Sequence, residues 1–345
     1  MTLADRISRF RQGWDGLRRR HPAAAWLTRW GVTAVSVSLG LLTLFCFRRG
    51  LEHFPWFVGY LLLLWVAGIV LVDARQTLAV RAPRLVSLVV DYTVQSMLHG
   101  LFLFLLPVYY ASTTLLSRNA APLGLLVGAT LLTTVDPWYR AMRRRAPWIE
   151  SVLIWLALFA SLAVAFPLVR VQASWALVLS AVLSVAALAP TVRRRLGAGW
   201  REAAAVTALA AGAMGLLTWS ARGGIPPVPL HLARATFARS VARLEPVLPV
   251  REISAAELVS WGSLTAFTAV TAPAGLRQPI FHVWRRNGVV VGTIPLSPIR
   301  GGPRAGFRTY SRKSELGQDP AGRWEVEVVT PSGQLVGRLR MTVTP

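Results

Sequence analysis

Up to about residue 221, apolar runs of membrane-crossing length alternate with short arginine-rich segments. Beyond it the runs shorten, polar and apolar positions alternate, and Gly, Pro and Asn-Gly punctuate the chain. The first pattern predicts a membrane all-α helical bundle of about seven transmembrane helices, because a helix needs about 20 apolar residues to cross a hydrocarbon core. The spans read as Trp30–Phe47, Phe54–Val72, Leu85–Tyr110, Ala120–Val135, Trp148–Val169, Ala173–Val192 and Ala203–Trp219, the fourth being short. Trp30, Trp56, Trp138, Trp148, Trp175, Trp200 and Trp219 fall near the expected ends, where interfacial aromatics belong. In the seventh span, Ala208/Gly212 and Ala211/Gly215 have the small-xxx-small spacing that suits close helix packing.

The second pattern predicts a small all-β sandwich. The expected strands are Leu264–Thr271, Pro279–Arg286, Val289–Leu296, Phe307–Ser314, Arg323–Thr330 and Gln334–Val343. Asn287-Gly288 between two of them is a type I′ hairpin signal, and Ser332-Gly333 marks another turn. Between the two patterns, the prolines of Arg222–Pro229 favour an extended exit from the membrane. A basic amphipathic stretch follows, with Leu230, Phe237, Val241 and Leu244 apolar and Arg234, Arg239 and Arg243 polar, expected to lie on the bilayer or on the β domain. The expected organisation is a cytoplasmic basic amphipathic segment over 1–29, a helical membrane domain over 30–221, a linker with an amphipathic segment over 222–260 and an extracytoplasmic β domain over 261–345.

Charge changes this picture by giving it a direction. The chain is 54% hydrophobic and 15% charged, yet carries a formal charge of +23. The arginines sit in loops between apolar runs, which is a footprint of membrane orientation and of contact with a lipid bilayer. No nucleic-acid partner is expected, since such binders gather basic residues on one soluble face. Residues 1–29 hold seven arginines. The loops after the second, fourth and sixth spans carry Arg75, Arg81 and Arg84; Arg140, Arg143, Arg144 and Arg145; and Arg193, Arg194, Arg195 and Arg201. The intervening loops carry only Arg48 and Arg49, then Arg118, then Arg170. The rich side is therefore expected to be cytoplasmic, and seven spans put the C-terminal domain outside. The N-terminus has no small-residue cleavage site after its first apolar run and does not read as a cleavable signal. The single cysteine, Cys46, lies in an apolar run, excludes an intrachain disulfide and reads as a packing residue.

The third span holds the candidate chemistry. Ser87, Asp91, Gln95 and His99 recur every four residues and stay neighbours on one helix face. Polar and ionisable residues in a span usually face a bundle interior or a wet cavity. Two readings stay open: a proton, ion or polar-substrate site, and a hydrogen-bonded seam between helices. Asp73, Asp136, Glu150 and Glu202 sit at expected cytoplasmic ends, where pairing with loop arginines is the simpler role. No Walker A loop, G-x-S-x-G or H-E-x-x-H occurs, and neither a metal nor a cofactor is expected.

The runs Phe281-His282-Val283-Trp284-Arg285-Arg286-Asn287-Gly288, Arg308-Thr309-Tyr310-Ser311-Arg312-Lys313 and Gly322-Arg323-Trp324-Glu325-Val326, with the Pro226-Pro227-Val228-Pro229-Leu230 exit, carry a family resemblance. The chain resembles an uncharacterised bacterial membrane-protein family whose C-terminal extracytoplasmic domain, of unknown function, follows a polytopic membrane domain. The resemblance implies an immunoglobulin-like module and carries no activity. Within that module His282, Arg308, Tyr310 and Lys313 are the candidate binding residues, able to grip a carboxylate or phosphate and stack on a sugar if they share a surface. Two functions are then expected to compete. One is a non-enzymatic anchoring or assembly protein of the bacterial inner membrane, whose outer domain binds an envelope protein, peptidoglycan or an anionic glycolipid. The other is a transporter or lipid-modifying enzyme using the third-span stripe.

Overall fold

The computed structural model describes residues 83–303 and 305–345, with the side-chain surroundings of Val90 and of residue 92 onward. The first two expected spans, the basic N-terminal segment, Cys46, Asp73 and the side chains of Ser87 and Asp91 lie outside the described residues.

Among the described residues the helical part begins with α1, Pro83–Ser112, and α2, Ala121–Thr134, followed by α3, Asp136–Arg145, and α4, Trp148–Leu168. It continues through α5, Ala173–Ala186, and α6, Ala189–Leu196, to α7, Trp200–Ala221. Among the described residues four helices are long and apolar enough to cross a membrane, Tyr92–Ser112, Trp148–Leu168, Ala173–Leu196 and Trp200–Gly224, which marks the chain as a membrane protein. The expected fourth span differs. α2 is only 14 residues, about 21 Å at helical rise, and the pair Arg118–Thr134 and Asp136–Arg145 is bent by 98°. Val135 takes an extended conformation (φ −90°, ψ 96°), and Pro137, in the first turn of α3, has no N–H with which to continue the preceding ladder.

α5 and α7 pack through small residues. Ala203, Thr207, Ala211, Gly215 and Thr218 form the buried stripe of α7, and Gly215 in that stripe faces Val178 and Val182 of α5. A Cβ on Gly215 would come 3.1 Å from Val182 Cγ2, so glycine is what allows this approach, while Gly212 faces open space. Only the Ala211/Gly215 half of the expected motif is used.

The β region starts at His231, earlier than expected. Its strands are β1 (His231–Ala242), β2 (Glu245–Val250), β3 (Glu252–Ser254), β4 (Leu264–Thr271), β5 (Arg277–Gln278), β6 (Phe281–Arg286), β7 (Val289–Pro295), β8 (Ile299–Arg300), β9 (Phe307–Lys313), β10 (Gly322–Val329) and β11 (Leu335–Thr344). A short helix α8, Ala255–Trp261, with Ser254 accepting from the Glu257 N–H at its start, joins β3 to β4. One sheet runs β2-β1-β4-β9 and the other β3-β11-β10-β6-β7, with β5-β8 as a small annex. The two large sheets share one core, in which Phe237, Leu264, Ala266 and Val270 meet Trp284, Trp324, Val326, Val328, Leu339 and Met341. Asn287 (φ 50°) and Gly288 (φ 85°) form the expected turn between β6 and β7.

The stretch read as a basic amphipathic segment is strand β1. It pairs with β4 over His231–Ala238 and with β2 from Phe237 onward. The β1–β2 hairpin carries Glu245 back to Arg234 (3.0 Å) and Arg308 (2.5 Å). Nor is the proline-rich exit an extended spacer. Pro226 to Leu230 are buried, and Leu230 belongs to the sandwich core.

Candidate functional site

Gln95 and His99 both point to the break between α2 and α3. Ending α2 at Thr134 leaves its last carbonyls without helical partners, and one of them, Thr133 O, accepts from Gln95 Nε2 at 2.9 Å. The same amide donates to Asp136 Oδ1 at 2.7 Å. His99 Nδ1 lies 2.8 Å from Thr134 Oγ1, whose own proton goes to Thr130 O at 2.6 Å. With that proton engaged, the threonine oxygen is left able to accept a hydrogen bond from the imidazole. Gln95, His99, Thr133 and Asp136 are all buried. Nearby, Tyr139 donates to Glu150 Oε1 at 2.9 Å, and Arg143 lies 3.6 Å from the same oxygen, the loop-arginine pairing expected for Glu150. Asp136 instead takes the side-chain amide of Gln95. The cluster thus gathers a carboxylate, an imidazole, an amide and a freed carbonyl at a helix break, a set that can hold a proton, a cation or a polar group. Period-four spacing found Gln95 and His99. Thr133, Thr134 and Asp136 were missed as their partners, and the one signal for them was Pro137 after a short apolar run.

The four outer-domain candidates do not share a surface. His282 is completely buried between the sheets, with Nε2 at 3.1 Å from Thr268 Oγ1 and Nδ1 at 2.8 Å from Ser311 Oγ. Trp284 Nε1 donates to the same Ser311 oxygen at 2.9 Å. Burial pushes the His282 pKa down from 6.5 to about 3, because the charged imidazolium would lose its hydration there. Lys313 lies on the same side of β9 as Thr309 and Ser311, at the strand's end and partly exposed. Arg308 and Tyr310 occupy the other face, Arg308 paired with Glu245 and Tyr310 exposed. Trp284 and Trp324 fill the core edge to face, 6.3 Å apart.

A different constellation comes together at the side of the sandwich. Arg234, Arg251, Arg338 and Arg340 line a cleft of about 800 Å3 with Ala235, Thr236, Phe237, Pro249, Val250 and Leu339. Arg338 reaches Glu325 at 3.0 Å and Glu327 at 2.6 Å, Arg340 reaches Glu325 at 2.7 Å, and Arg285 reaches Glu327 at 2.9 Å. Burial works to raise the Glu327 pKa, but the hydrogen bonds from Arg338 and Arg285 outweigh it and hold the carboxyl below its usual range. Arg234 and Arg251 are far in sequence from Arg338 and Arg340, and only the meeting of β1, β2 and β11 assembles them. Among the described residues no group of three or more His, Cys, Asp or Glu gathers for a metal ion.

Comparison with known proteins gives two matches. Residues 18–265 match a family of unknown function, DUF5924. Residues 277–343 match a protein family of unknown function, DUF2914. No curated protein and no solved structure matches the chain.

Proposed function

The chain belongs to the DUF5924 family, and we propose that it is a multi-pass protein of the bacterial cytoplasmic membrane that presents a fixed β domain outside the cytoplasm. In this reading the domain is an immunoglobulin-like sandwich that binds a protein or an envelope polymer, and the protein anchors and assembles rather than catalyses. The observation that carries the reading is the seat of the β domain. Asn119, after α1, donates to Leu335 O at 3.1 Å. Ala173 N, after α4, donates to Gln278 Oε1 at 3.0 Å. Arg222 Nε, after α7, donates to Ser332 O at 3.0 Å, and Gln334 Nε2 returns a bond to Ile225 O at 3.3 Å. A domain held at the connections after three helices is a rigid fixture, unlike one on a flexible tether.

Those three connections are also the arginine-poor ones, while Arg193, Arg194, Arg195 and Arg201 lie at the opposite ends of the α5–α6 and α7 stretches. The positive-inside bias therefore supports an extracytoplasmic β domain. In a Cys46→Ser background, Gln318→Cys is expected to react with an impermeant maleimide from outside the cytoplasmic membrane and Ala198→Cys only after lysis. The reverse pattern refutes the placement. Gentle purification of the full chain with mass spectrometry of what travels with it tests the role. A stoichiometric protein or glycan held through the β domain supports it.

The break between α2 and α3 favours one second reading, a transporter or lipid-modifying enzyme. A buried carboxylate and imidazole beside an interrupted helix are the parts such a site needs. Retention of a specific solute or lipid that is lost in Asp136→Asn, with folding intact, would move the assignment there.

A further inference from the structure

The arginine cleft lies between two unpaired strand edges. β1 gives one edge to β4, and its other edge takes β2 only from Phe237 onward, so the second edge of Arg234–Thr236 has no strand partner among the described residues. β11 pairs with β10 along its length, but its other edge meets β3 only at Thr342–Thr344, leaving Arg338–Arg340 open. At one end the two strands touch, since a Cβ on Gly337 would fall 2.3 Å from Leu232 Cδ1. At the other end Thr342 N donates to Arg251 O at 3.4 Å. Between Gly337 and Thr342 a strand advances about 17 Å, the length of about five extended residues.

Open strand edges offer a row of backbone donors and acceptors, and a peptide satisfies such a row while a polysaccharide does not. The cleft's charge selects the kind of peptide. Its lining holds four arginines and no carboxylate. The nearby acids are shared: Glu245 serves Arg234 and Arg308, while Glu325 and Glu327 serve Arg285, Arg338 and Arg340. Arg251, exposed, is followed by exposed Glu252. We propose that this cleft binds an extended acidic peptide segment of a partner protein, which adds as a strand to the open edges while the arginines meet its carboxylates. The proposal rests on the reading of the β domain as a binding module and narrows its partner to one chemistry. Neither the chain's own first 29 residues, with seven arginines against Asp5 and Asp15, nor a second copy of a chain of charge +23 has the complementary sign.

The test uses the full chain in detergent micelles and a fluorescent decapeptide of alternating Glu and Val, followed by anisotropy. Saturable binding is expected, weakened about fivefold by Arg251→Glu and by raised ionic strength. A version with alternate backbone amides N-methylated keeps every charge and side chain but cannot complete a strand, and is expected not to bind. Equal binding of the methylated peptide overturns strand addition. Binding of polygalacturonate in the cleft, with no binding of either peptide, overturns the peptide class while leaving the module reading intact. If none of the probes binds, the cleft is not the site. The co-purification experiment then judges the module reading by itself.

Discussion

Lowering the pH from 7 to 5 is expected to destabilise the β domain through one residue. His282 links the two sheets, with β6 supplying the imidazole and β4 and β9 supplying the Thr268 and Ser311 hydroxyls. Its folded pKa lies near 3, against 6.5 for the ordinary side chain. Between those values the unfolded chain takes up a proton that the folded domain refuses. Stability is therefore fully present above about 6.5, falls as the pH drops through that value, and stops falling from this cause near 3. At pH 5 the lost stability is about 2 kcal/mol, or about thirtyfold in the opening equilibrium. Glu327, whose pKa is depressed, is a separate acid-sensitive group whose stabilisation is lost only as the pH falls below the ordinary carboxylate range near 4.5. Hydrogen-exchange mass spectrometry of the full chain in micelles, followed on peptides from β6 and β9 and corrected for intrinsic exchange, measures the effect. His282→Gln is expected to cost about 1 kcal/mol at neutral pH by disturbing the hydrogen bonds, and to abolish most of the difference between pH 7 and 5. Unchanged opening across that range in the wild type, or the same pH dependence in His282→Gln, would refute the reasoning.

Three further outcomes follow from particular contacts. Gly215→Leu is expected to lower the melting temperature in micelles by overpacking against Val182, at a cost of about 1–3 kcal/mol, while Gly212→Leu, with open space around it, leaves it unchanged. A fragment of residues 277–345 is expected to show no cooperative near-ultraviolet melt, because it lacks β1 to β4 and keeps only β9 of the first sheet, whereas residues 226–345 melt cooperatively. Asn119→Ala leaves the Leu335 carbonyl without its buried donor and is expected to cost about 1–3 kcal/mol at the seat of the β domain, read as faster amide exchange around Leu335–Gly337.

The six expected strands were legible because they combine β-branched, aromatic or alternating positions with turn residues between them, as at Asn287-Gly288. β1 was not. Leu230, Phe237, Val241 and Leu244 fall at spacings that imitate one helix face, and the Ala and Arg residues between them favour helix locally. Pairing with β4 and β2 overrules that preference, and the change of partner within β1 hides its alternation. Gln95 and His99 were legible from their period on one helix. Their partners and the arginine cleft were not, since those meetings are made by tertiary contact. His282 was a binding candidate only if it shared a surface with the others, and its burial was illegible for the same reason: Arg308 and His282 look equally polar in sequence, and only the inward parity of β6 separates them.

The two family matches meet inside one folded unit. The DUF5924 match ends at residue 265, just inside β4, and the DUF2914 match begins at residue 277, at β5. Yet Leu230, Phe237, Ile253, Leu258 and Leu264, from the first match, share a core with Trp284, Trp324, Val326 and Leu339, from the second. Neither segment can bury its apolar face without the other, so they fold together. The consequence reaches the membrane. Pro226 to Leu230 are buried, Leu230 within that core, directly after α7, whose Gly215 stripe is locked onto α5. Arg222 stacks over Trp219 at 4.4 Å while holding Ser332 O. A load applied to the β domain is thereby passed to the α5–α7 pair through packed side chains and short hydrogen-bonded connections, with no slack segment between. That coupling is what the proposed anchoring role requires.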